Sequence, residues 1–419
     1  MSISQASVIQ DYANRTPGTD GCPGHFTAGE QRKLGRLWTL LLKYLDEVKD
    51  KNVKVVGEFL QKIDHDWSTL KPDESPNPTE DPEALTKKHV QIVPDEYIPS
   101  FAHPDKETRN LRDVFWEAVT IKVHPDIWVH RFLRSSGWDV DKAFAMIKGV
   151  IDWRATEAVD VINRNGELGI GLDELRLGLS QLVGRDRLGF PLLYVRVRRI
   201  MPRANEGFVF KRYLVMLFEA MQIITRNYGR VTMLYDFTGF TMDNTPLSMV
   251  QFMVLLGMKQ YAEVSSVLIL MVDSWLFINS WNLIRPFLDT NLSARIVFAK
   301  TAEDLPIELG GKNSYKPSFV LPKEGENKMM FDTEGRRAAE NEWRARISNF
   351  ETATKLWSEQ IMSIRDVDVV DPQFPCTAKR DDAAKILGDA ELELSKFTRS
   401  RNNFERLGFV GSDGCLQMP

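Results

Sequence analysis

Residues 231–311 decide the fold. They read VTMLYDFTGFTMDNTPLSMVQFMVLLGMKQYAEVSSVLILMVDSWLFINSWNLIRPFLDTNLSARIVFAKTAEDLPIELGG. Two runs in this stretch, residues 231–237 and 267–272, are apolar on both faces, which is typical of strands that helices cover on both sides. A helical pattern follows each run, and residues 296–299 supply another apolar strand. The stretch therefore predicts an α/β fold with a mainly parallel sheet and right-handed crossovers.

The two predicted helices between these strands carry more apolar residues than one packing face requires. Thr245 and Pro246 are typical of a cap and a first-turn proline, and predict a helix that runs to about Tyr261. The second helix covers residues 274–289 and is expected to end near Pro286. The apolar residues of both are Leu247, Val250, Phe252, Met253, Val254, Leu255, Leu256, Met258, Trp275, Leu276, Phe277, Ile278, Trp281, Leu283, Ile284, Phe287 and Leu288. A membrane, a partner protein or a bound lipid must cover the additional apolar surface.

Composition places the chain among globular proteins of two or three domains. It has 419 residues, of which 43% are apolar and 27% charged, and its net charge of −4 argues against general nucleic-acid binding. Cys22, Cys376 and Cys415 form no CxxC motif, which favours a reducing compartment without disulfides. The first residues lack an apolar signal segment, and no apolar run approaches the ~18 residues of a membrane span. We therefore expect a cytoplasmic protein.

Helical patterns flank the sheet segment on both sides. Thr27 and Glu30 fit a capping box that opens a helix to about Val48, and residues 71–82 form a proline-rich acidic linker. Further helices are expected from about residue 111 to 155, where Gly137 fits a left-handed cap and Asp139 an N-cap, and over residues 208–227. Residues 184–189 predict a turn between two strands. Two charged helices, over residues 333–362 and 381–406, are expected to pack on the outside of the main domain.

Motifs for covalent or metal chemistry are missing. No P-loop, HExxH or GxSxG occurs, and none of the six histidines has a ligand-like partner at i+3 or i+4. We expect His130 at a bundle surface and Asp236 as an acceptor for turn amides. A haem bound through Tyr or His stays open, without a supporting motif. The chain is thus not expected to be an enzyme or to hold a metal or cofactor.

Methionines and aromatic residues favour a cavity. Nine of the 15 methionines lie between Met201 and Met271, and flexible thioethers suit a cavity for apolar ligands, although any single methionine more often fills a core. The helix over residues 274–289 combines tryptophans with Asn279, Ser280, Asn282 and Arg285. It is interpreted as a movable lid that touches a bilayer interface, with a fixed core helix as the alternative.

Four motifs carry a resemblance to a known family. They are HRFLRSSGWDVDKAFAMIKGVIDWR at 130–154, GRDRLGFPLLYVRVR at 184–198, YDFTGF at 235–240, and SWLFINSWNLIRPFLD at 274–289 followed by LPIELGG at 305–311. In this order they resemble the CRAL-TRIO family of lipid-transfer proteins, including the large fungal phosphatidylinositol/phosphatidylcholine transfer proteins, over residues 105–320. The resemblance implies an N-terminal helical bundle, a lipid-binding domain with a mixed, mainly parallel sheet, a hydrophobic pocket and a gate helix, and a helical C-terminal extension.

The expected organisation has five segments. They are a disordered N-terminus (1–26), an N-terminal helix and linker (27–104), the helical module of the family (105–160), the lipid-binding domain (161–325) and a helical extension (326–419). The resemblance implies a lipid carrier that encloses one hydrophobic ligand, expected to be a phospholipid, and visits membranes transiently. It implies no enzyme activity, cofactor, metal or nucleic acid. The alternative is a lipid-sensing adaptor that binds a protein partner through its C-terminal helices.

The resemblance also implies site residues. The pocket and gate are assigned to Tyr213, Leu217, Tyr235, Phe252, Leu255, Trp275, Phe277, Trp281, Ile284 and Phe287, and lipid headgroup contacts to Thr241, Glu263 and Arg295. Ser136 and Gly137 stand where phosphoinositide-binding members have Arg-Lys, and Leu292 stands at the position of their threonine. Because charge-assisted hydrogen bonds contribute ~1.5–3 kcal/mol each, we expect weak phosphatidylinositol selection. For Glu263 and Arg295, a surface salt bridge is the alternative role.

Overall fold

Helices and one small mixed sheet build the part of the chain that the structure describes. The computed structural model describes residues 26–57, 108–170, 179–186, 190–197, 207–227, 230–239, 247–271, 281, 285–288, 293, 295–299, 320, 322–323, 325–363 and 375–417. The α/β class predicted from the sequence is confirmed. Within the described residues, no helix has both the length and the apolar character needed to cross a bilayer.

The strands form a two-stranded and a five-stranded sheet. In chain order they are β1 (Asn52–Lys54), β2 (Thr108–Asn110), β3 (Ser180–Arg185), β4 (Pro191–Arg196), β5 (Val231–Asp236), β6 (Ser265–Met271) and β7 (Ile296–Ala299). The larger sheet has the spatial order β3-β4-β5-β6-β7. β3 runs antiparallel to β4, and the other neighbours are parallel. The mainly parallel sheet predicted from the apolar runs is thus confirmed.

Ten α-helices are described around these strands. They are α1 (Ala28–Glu47), α2 (Leu111–Thr120), α3 (Pro125–Ser135), α4 (Val140–Glu157), α5 (Val159–Asn165), α6 (Gly207–Ile224), α7 (Leu247–Leu255), α8 (Thr333–Ser363), α9 (Pro375–Thr398) and α10 (Asn403–Arg406). The capping box predicted for α1 is present, since the Glu30 amide donates to Thr27 Oγ1 at 3.2 Å. Gly137 has the left-handed φ of +67° expected of it, and Asp139 caps α4.

The helix after β5 ends where expected but changes type. α7 ends at Leu255, and Leu256–Gln260 continue it as a π-helical turn up to Tyr261. Gly257 lies in this turn, where it weakens an α-helix and where a Cβ would come within 3.5 Å of the Phe218 ring. Thr245, Pro246 and the turn at 187–189 lie outside the described residues, as does most of the helix expected over 274–289. Of that helix, Trp281 and residues 285–288 are described, and Arg285–Phe287 form a 3₁₀ turn.

The long C-terminal helices α8 and α9 share one apolar core with α1 to α4, which are called the helical module below. They do not lie on the outside of the region with the five-stranded sheet, from β3 to β7, which is called the sheet domain. The apolar stripe of α8 faces α1 and α2, and the Phe350 ring lies 5.7 Å from Trp38 and 6.0 Å from Trp116. Trp343 and Trp357 of the same stripe are buried. The stripe is therefore not a surface for a protein partner, and deletion of residues 333–419 would open a core.

The last residues of the chain reach the sheet domain. Phe404 and Leu416 are buried in the same apolar cluster as β3, β4 and β5. Arg406, almost fully buried, pairs with Glu167 and with Glu326, the latter at 3.0 Å. The C-terminal segment thus contacts both the helical module and the sheet domain.

A buried charge network joins the helical module to the sheet domain. Arg154 of α4 forms two hydrogen bonds with Glu219 of α6, at 2.7 and 3.1 Å. The Tyr261 hydroxyl donates to the same carboxylate at 2.7 Å. Burial opposes ionisation of Glu219, but Arg154 and the hydrogen-bond donors outweigh it and lower the pKa of this carboxyl. α6 is therefore fixed against the module.

A second buried pair attaches the C-terminal hairpin to the module. Arg380 of α9 donates to both oxygens of Asp126 in α3, at 2.6 and 2.5 Å, and Trp38 Nε1 donates to the same carboxylate at 2.6 Å. The guanidinium carbon also lies 4.1 Å from the centre of the Trp357 ring. Burial alone would raise the pKa of Asp126, but Arg380, His124 and these hydrogen bonds lower it to about 2. Three segments distant in sequence depend on this contact.

Replacing Arg380 with leucine is expected to destabilise the protein strongly. The substitution leaves the Asp126 carboxylate buried without its counter-charge, which typically costs about 3–5 kcal/mol. The free energy of unfolding from urea titration measures the loss. Arg36→Leu is the matched control, because Arg36 pairs with Asp141 while their side chains are 53% and 71% exposed, and such pairs contribute about 0–1 kcal/mol. Equal losses in the two variants would contradict the importance of the buried pair.

Candidate functional site

One face of the large sheet carries an apolar row that crosses four strands. The strand register pairs Val195 with Tyr235, Tyr235 with Leu270, and Leu270 with Phe298. Residues that pair in register point to the same face of a sheet. The first three side chains are 6% exposed, whereas Phe298 on β7 is 37% exposed. The row is thus buried on β4, β5 and β6 and more exposed on β7.

Helix α6 covers the inner part of this face. Tyr213 and Leu217, both predicted pocket residues, are 3% and 5% exposed and belong to one apolar cluster with Tyr235. Phe252 of α7 packs against that cluster while remaining partly exposed. Leu255, at the end of α7, is 41% exposed. Five of the predicted pocket residues therefore lie on α6, β5 and α7. Three of them belong to one cluster, and Phe252 packs against it.

Trp281 lies over the open end of the row. Its ring is 5.1 Å from that of Phe298, and the ring planes are nearly perpendicular at 88°. Trp281 comes from the predicted gate helix and also packs against the cluster that contains Tyr235. Phe287 is half-buried in the turn that follows. The predicted site residues Thr241, Trp275, Phe277 and Ile284 lie outside the described residues, so their roles stay predictions.

The predicted headgroup residues Glu263 and Arg295 come together at the amino-terminal edge of the parallel strands. Glu263 Oε2 lies 3.0 Å from Arg134 Nε and 2.5 Å from Arg230 Nη2, and its other oxygen lies 3.9 Å from Arg295 Nη2. Arg295 also donates to the Ser265 carbonyl at 2.5 Å. The Glu263 side chain is 9% exposed. This is a buried cluster of one carboxylate and three guanidinium groups, not a surface salt bridge.

Electrostatics keep the Glu263 carboxyl ionised. Burial opposes ionisation, but attraction to Arg134, Arg230 and Arg295 outweighs it and holds the pKa of this carboxyl far below its usual range. The Glu263 backbone has a left-handed φ of +56°, which is uncommon for residues other than glycine. The cluster therefore fixes the connection between α7 and β6 against the end of α3.

Arg134 and Arg230 are contacts that sequence reasoning missed. Arg134 lies within the helical motif at 130–154, and Arg230 directly precedes β5. The position of Arg230 before β5 could have been noted beside those of Glu263 and Arg295, because the amino ends of parallel strands meet at one edge. Their meeting with Glu263 depends on how α3 packs against that edge, which no local pattern contains.

Ser136 and Gly137 shape the turn after α3. Ser136 is buried, and its hydroxyl lies 2.9 Å from the Leu133 carbonyl and 2.8 Å from the Asp139 carbonyl. Gly137 has a φ of +67° and Trp138 follows with the same value. Large basic side chains at positions 136 and 137 would therefore disturb this turn, so restoring the Arg-Lys pair is not a neutral change.

Two further single-residue expectations can be compared with the structure. The Asp236 carboxylate accepts from the Thr238 amide at 2.9 Å, as predicted for a turn acceptor, and also from the Tyr194 hydroxyl.

The surface position predicted for His130 is wrong. His130 is 3% exposed, and its ring lies between those of Phe26 and Trp138, at 4.5 and 5.1 Å. Burial, together with Arg134 and Arg230, lowers the pKa of His130 to about 2. Among the described residues, no group of His, Cys, Asp or Glu side chains could hold a metal ion.

Comparison with known proteins identifies the sheet domain. Residues 175–311 match the family model of the CRAL/TRIO domain. This chain carries a CRAL/TRIO domain. The match includes β3 to β7, the apolar row and the Glu263 cluster except Arg134. The family resemblance predicted from the four motifs is thereby confirmed.

Two fungal relatives are similar over most of the chain. The phosphatidylinositol transfer protein CSR1 of Eremothecium gossypii is 28% identical over 310 residues, which cover 70% of this chain and 69% of the relative. The CRAL-TRIO domain-containing protein C3H8.02 of Schizosaccharomyces pombe is 26% identical over 346 residues, covering 77% and 73%. Among solved structures, the crystal structure of Sfh5 matches with a TM-score of 0.36 and 14% identity, over 42% of this chain and 66% of that one.

Proposed function

We propose that this protein binds one phospholipid on the apolar face of its CRAL/TRIO sheet and exchanges it with membranes. The observation that carries the proposal is the row from Val195 to Phe298, which is apolar apart from one phenol hydroxyl and belongs to the matched domain. Exposing an acyl chain to water costs ~0.8 kcal/mol of free energy per methylene. A protein that moves such chains needs an apolar surface of this kind. The relative named a phosphatidylinositol transfer protein supports a transfer function.

The contact between Trp281 and Phe298 supports a gate at the open end of the row. The residues around Trp281 form the stretch SWLFINSWNLIRPFLD, whose tryptophans have amphipathic rings that favour a membrane interface. In this proposal Trp281 covers Phe298 in solution and moves away from it at a membrane surface. No covalent step is part of the proposal.

Replacing Phe298 with aspartate is expected to slow lipid transfer at least tenfold. An acyl chain on the sheet face would have to desolvate the new carboxylate, which costs several kcal/mol. Transfer of fluorescent phosphatidylcholine between donor and acceptor vesicles measures the effect. Phe331→Asp is the matched control, because Phe331 is 60% exposed and lies before α8. Unchanged transfer by the Phe298 variant, with both proteins folded, would contradict the proposed location.

The protein is not expected to select phosphatidylinositol strongly over other phospholipids. Arg295 already contacts the Ser265 carbonyl and the Glu263 carboxylate, and Ser136 and Gly137 shape a turn in place of two basic side chains. Among phosphoinositide-binding members, those basic groups contribute the headgroup contacts, as the family resemblance implies.

Phosphatidylinositol is therefore expected to transfer at least tenfold more slowly than phosphatidylcholine with matched acyl chains. The loss of one to two charge-assisted hydrogen bonds, worth ~1.5–3 kcal/mol each, gives that factor. The same vesicle assay with the two lipids in separate donor populations measures both rates. Faster transfer of phosphatidylinositol would show that other groups on this chain recognise inositol.

A further inference from the structure

Tyr235 has a buried hydroxyl with a weak acceptor. The side chain is 6% exposed and stands at the centre of the apolar row on β5. Its hydroxyl donates to Met233 Sδ at 3.6 Å, and a thioether is a weak acceptor. Within the described part of the chain, this is the only hydrogen bond of the Tyr235 hydroxyl. Burial, followed by the nearby Tyr213 hydroxyl, raises the pKa of the Tyr235 phenol.

Three other phenols near the sheet have oxygen partners. Tyr213 shares a hydrogen bond of 2.6 Å with Ser180 Oγ, Tyr261 donates to Glu219 at 2.7 Å, and Tyr194 donates to Asp236. A buried hydroxyl without a good acceptor is unfavourable, and each such group requires an explanation. An oxygen atom supplied by a ligand would give Tyr235 the partner that its three neighbours have within the chain.

The position of Tyr235 along the strand indicates what kind of oxygen this is. On the same face, the residues behind it toward the amino end are Val231 and Met233, which are buried and apolar. Directly after it come Asp236 and the polar turn with Thr238. Tyr235 therefore lies at the boundary between an apolar wall and a polar strand end. In a diacyl glycerolipid the ester carbonyls lie at the same boundary, between the acyl chains and the headgroup. This orientation places the headgroup at the carboxyl end of β5 and is the alternative to headgroup contacts at Glu263 and Arg295, which lie at the amino-terminal edge.

We propose that the Tyr235 hydroxyl donates a hydrogen bond to an ester carbonyl oxygen of a diacyl glycerolipid bound on this sheet face, and that Tyr235 thereby selects ester-linked over ether-linked lipids. The assignment rests on the proposed function, because it needs a lipid on this face. The Met233 sulfur, which also accepts from Ser265 Oγ at 3.0 Å, is the acceptor that the ester oxygen replaces. A carbonyl oxygen accepts hydrogen bonds more strongly than a thioether or an ether oxygen, so the discrimination follows from the chemistry of the acceptor.

Transfer of two matched lipids by the full chain tests this assignment. The probes are diester phosphatidylcholine and its diether analogue with chains of equal length, each in its own donor vesicles. One neutral hydrogen bond corresponds to about a 3- to 10-fold difference, so the wild-type chain should transfer the diester faster by that factor. Tyr235→Phe removes only the hydroxyl. It should slow diester transfer by the same factor, leave diether transfer unchanged and bring the ratio to about one.

Tyr44→Phe is the matched control. Tyr44 is 8% exposed in α1 of the helical module, away from the sheet face, so this variant should keep the diester preference. A Tyr235→Phe protein that retains the preference, or that loses both transfers equally, would overturn the assignment. Equal wild-type rates for the two lipids would overturn it without any variant, while transfer itself would still support the proposed function. Transfer of neither lipid by the wild-type chain would overturn the proposed function and this assignment together.

Discussion

The rest of the structure depends on one constraint, which is that an apolar sheet face must be kept from water. Parallel strands connected by helices have two faces that must be kept from water. On the face that includes Tyr235, α6 covers the inner part of the row, while Phe298 at β7 is more exposed and lies under Trp281. The cover is thus divided between a fixed helix and Trp281. In the proposed function, a lipid chain is the third component that covers this face.

Buried charges hold the fixed part of this arrangement. Arg154 and Glu219 attach α6 to the helical module, and Asp126 and Arg380 attach the C-terminal hairpin to the same module. Arg134 of that module also pairs with Glu263 at the amino-terminal edge of the sheet. Because removing one partner of a buried pair leaves the other charge without compensation, these contacts resist separation. Movement in the sheet domain is therefore expected around the exposed Phe298 near the carboxyl end of β7, and not at Arg295, which belongs to the Glu263 cluster.

The sequence predicted the regular elements well because their signals are local. Apolar runs predicted β5, β6 and β7, the capping box predicted the start of α1, and Gly137 predicted the turn after α3. The surplus of apolar residues in α7 agrees with a helix that stays partly exposed at Leu255.

Long-range packing could not be predicted in the same way. The stripe of α8 was recognised, but its burial against Trp38 depends on the shape of the module surface. The same holds for His130, whose polar character suggested a surface position although two rings enclose it. The family resemblance predicts Glu263 and Arg295 as site residues, and the structure brings them together with arginines that no motif links to them. Their part in headgroup binding stays a prediction.

Native mass spectrometry of the full chain, purified without detergent, tests the central claim most directly, which is that the apolar sheet face is the wall of a lipid site. The account predicts a mass equal to one chain plus one lipid, with organic extraction of the same sample yielding a diacyl phospholipid. A chain that carries no lipid, and takes up none after incubation with phosphatidylcholine vesicles, would contradict it.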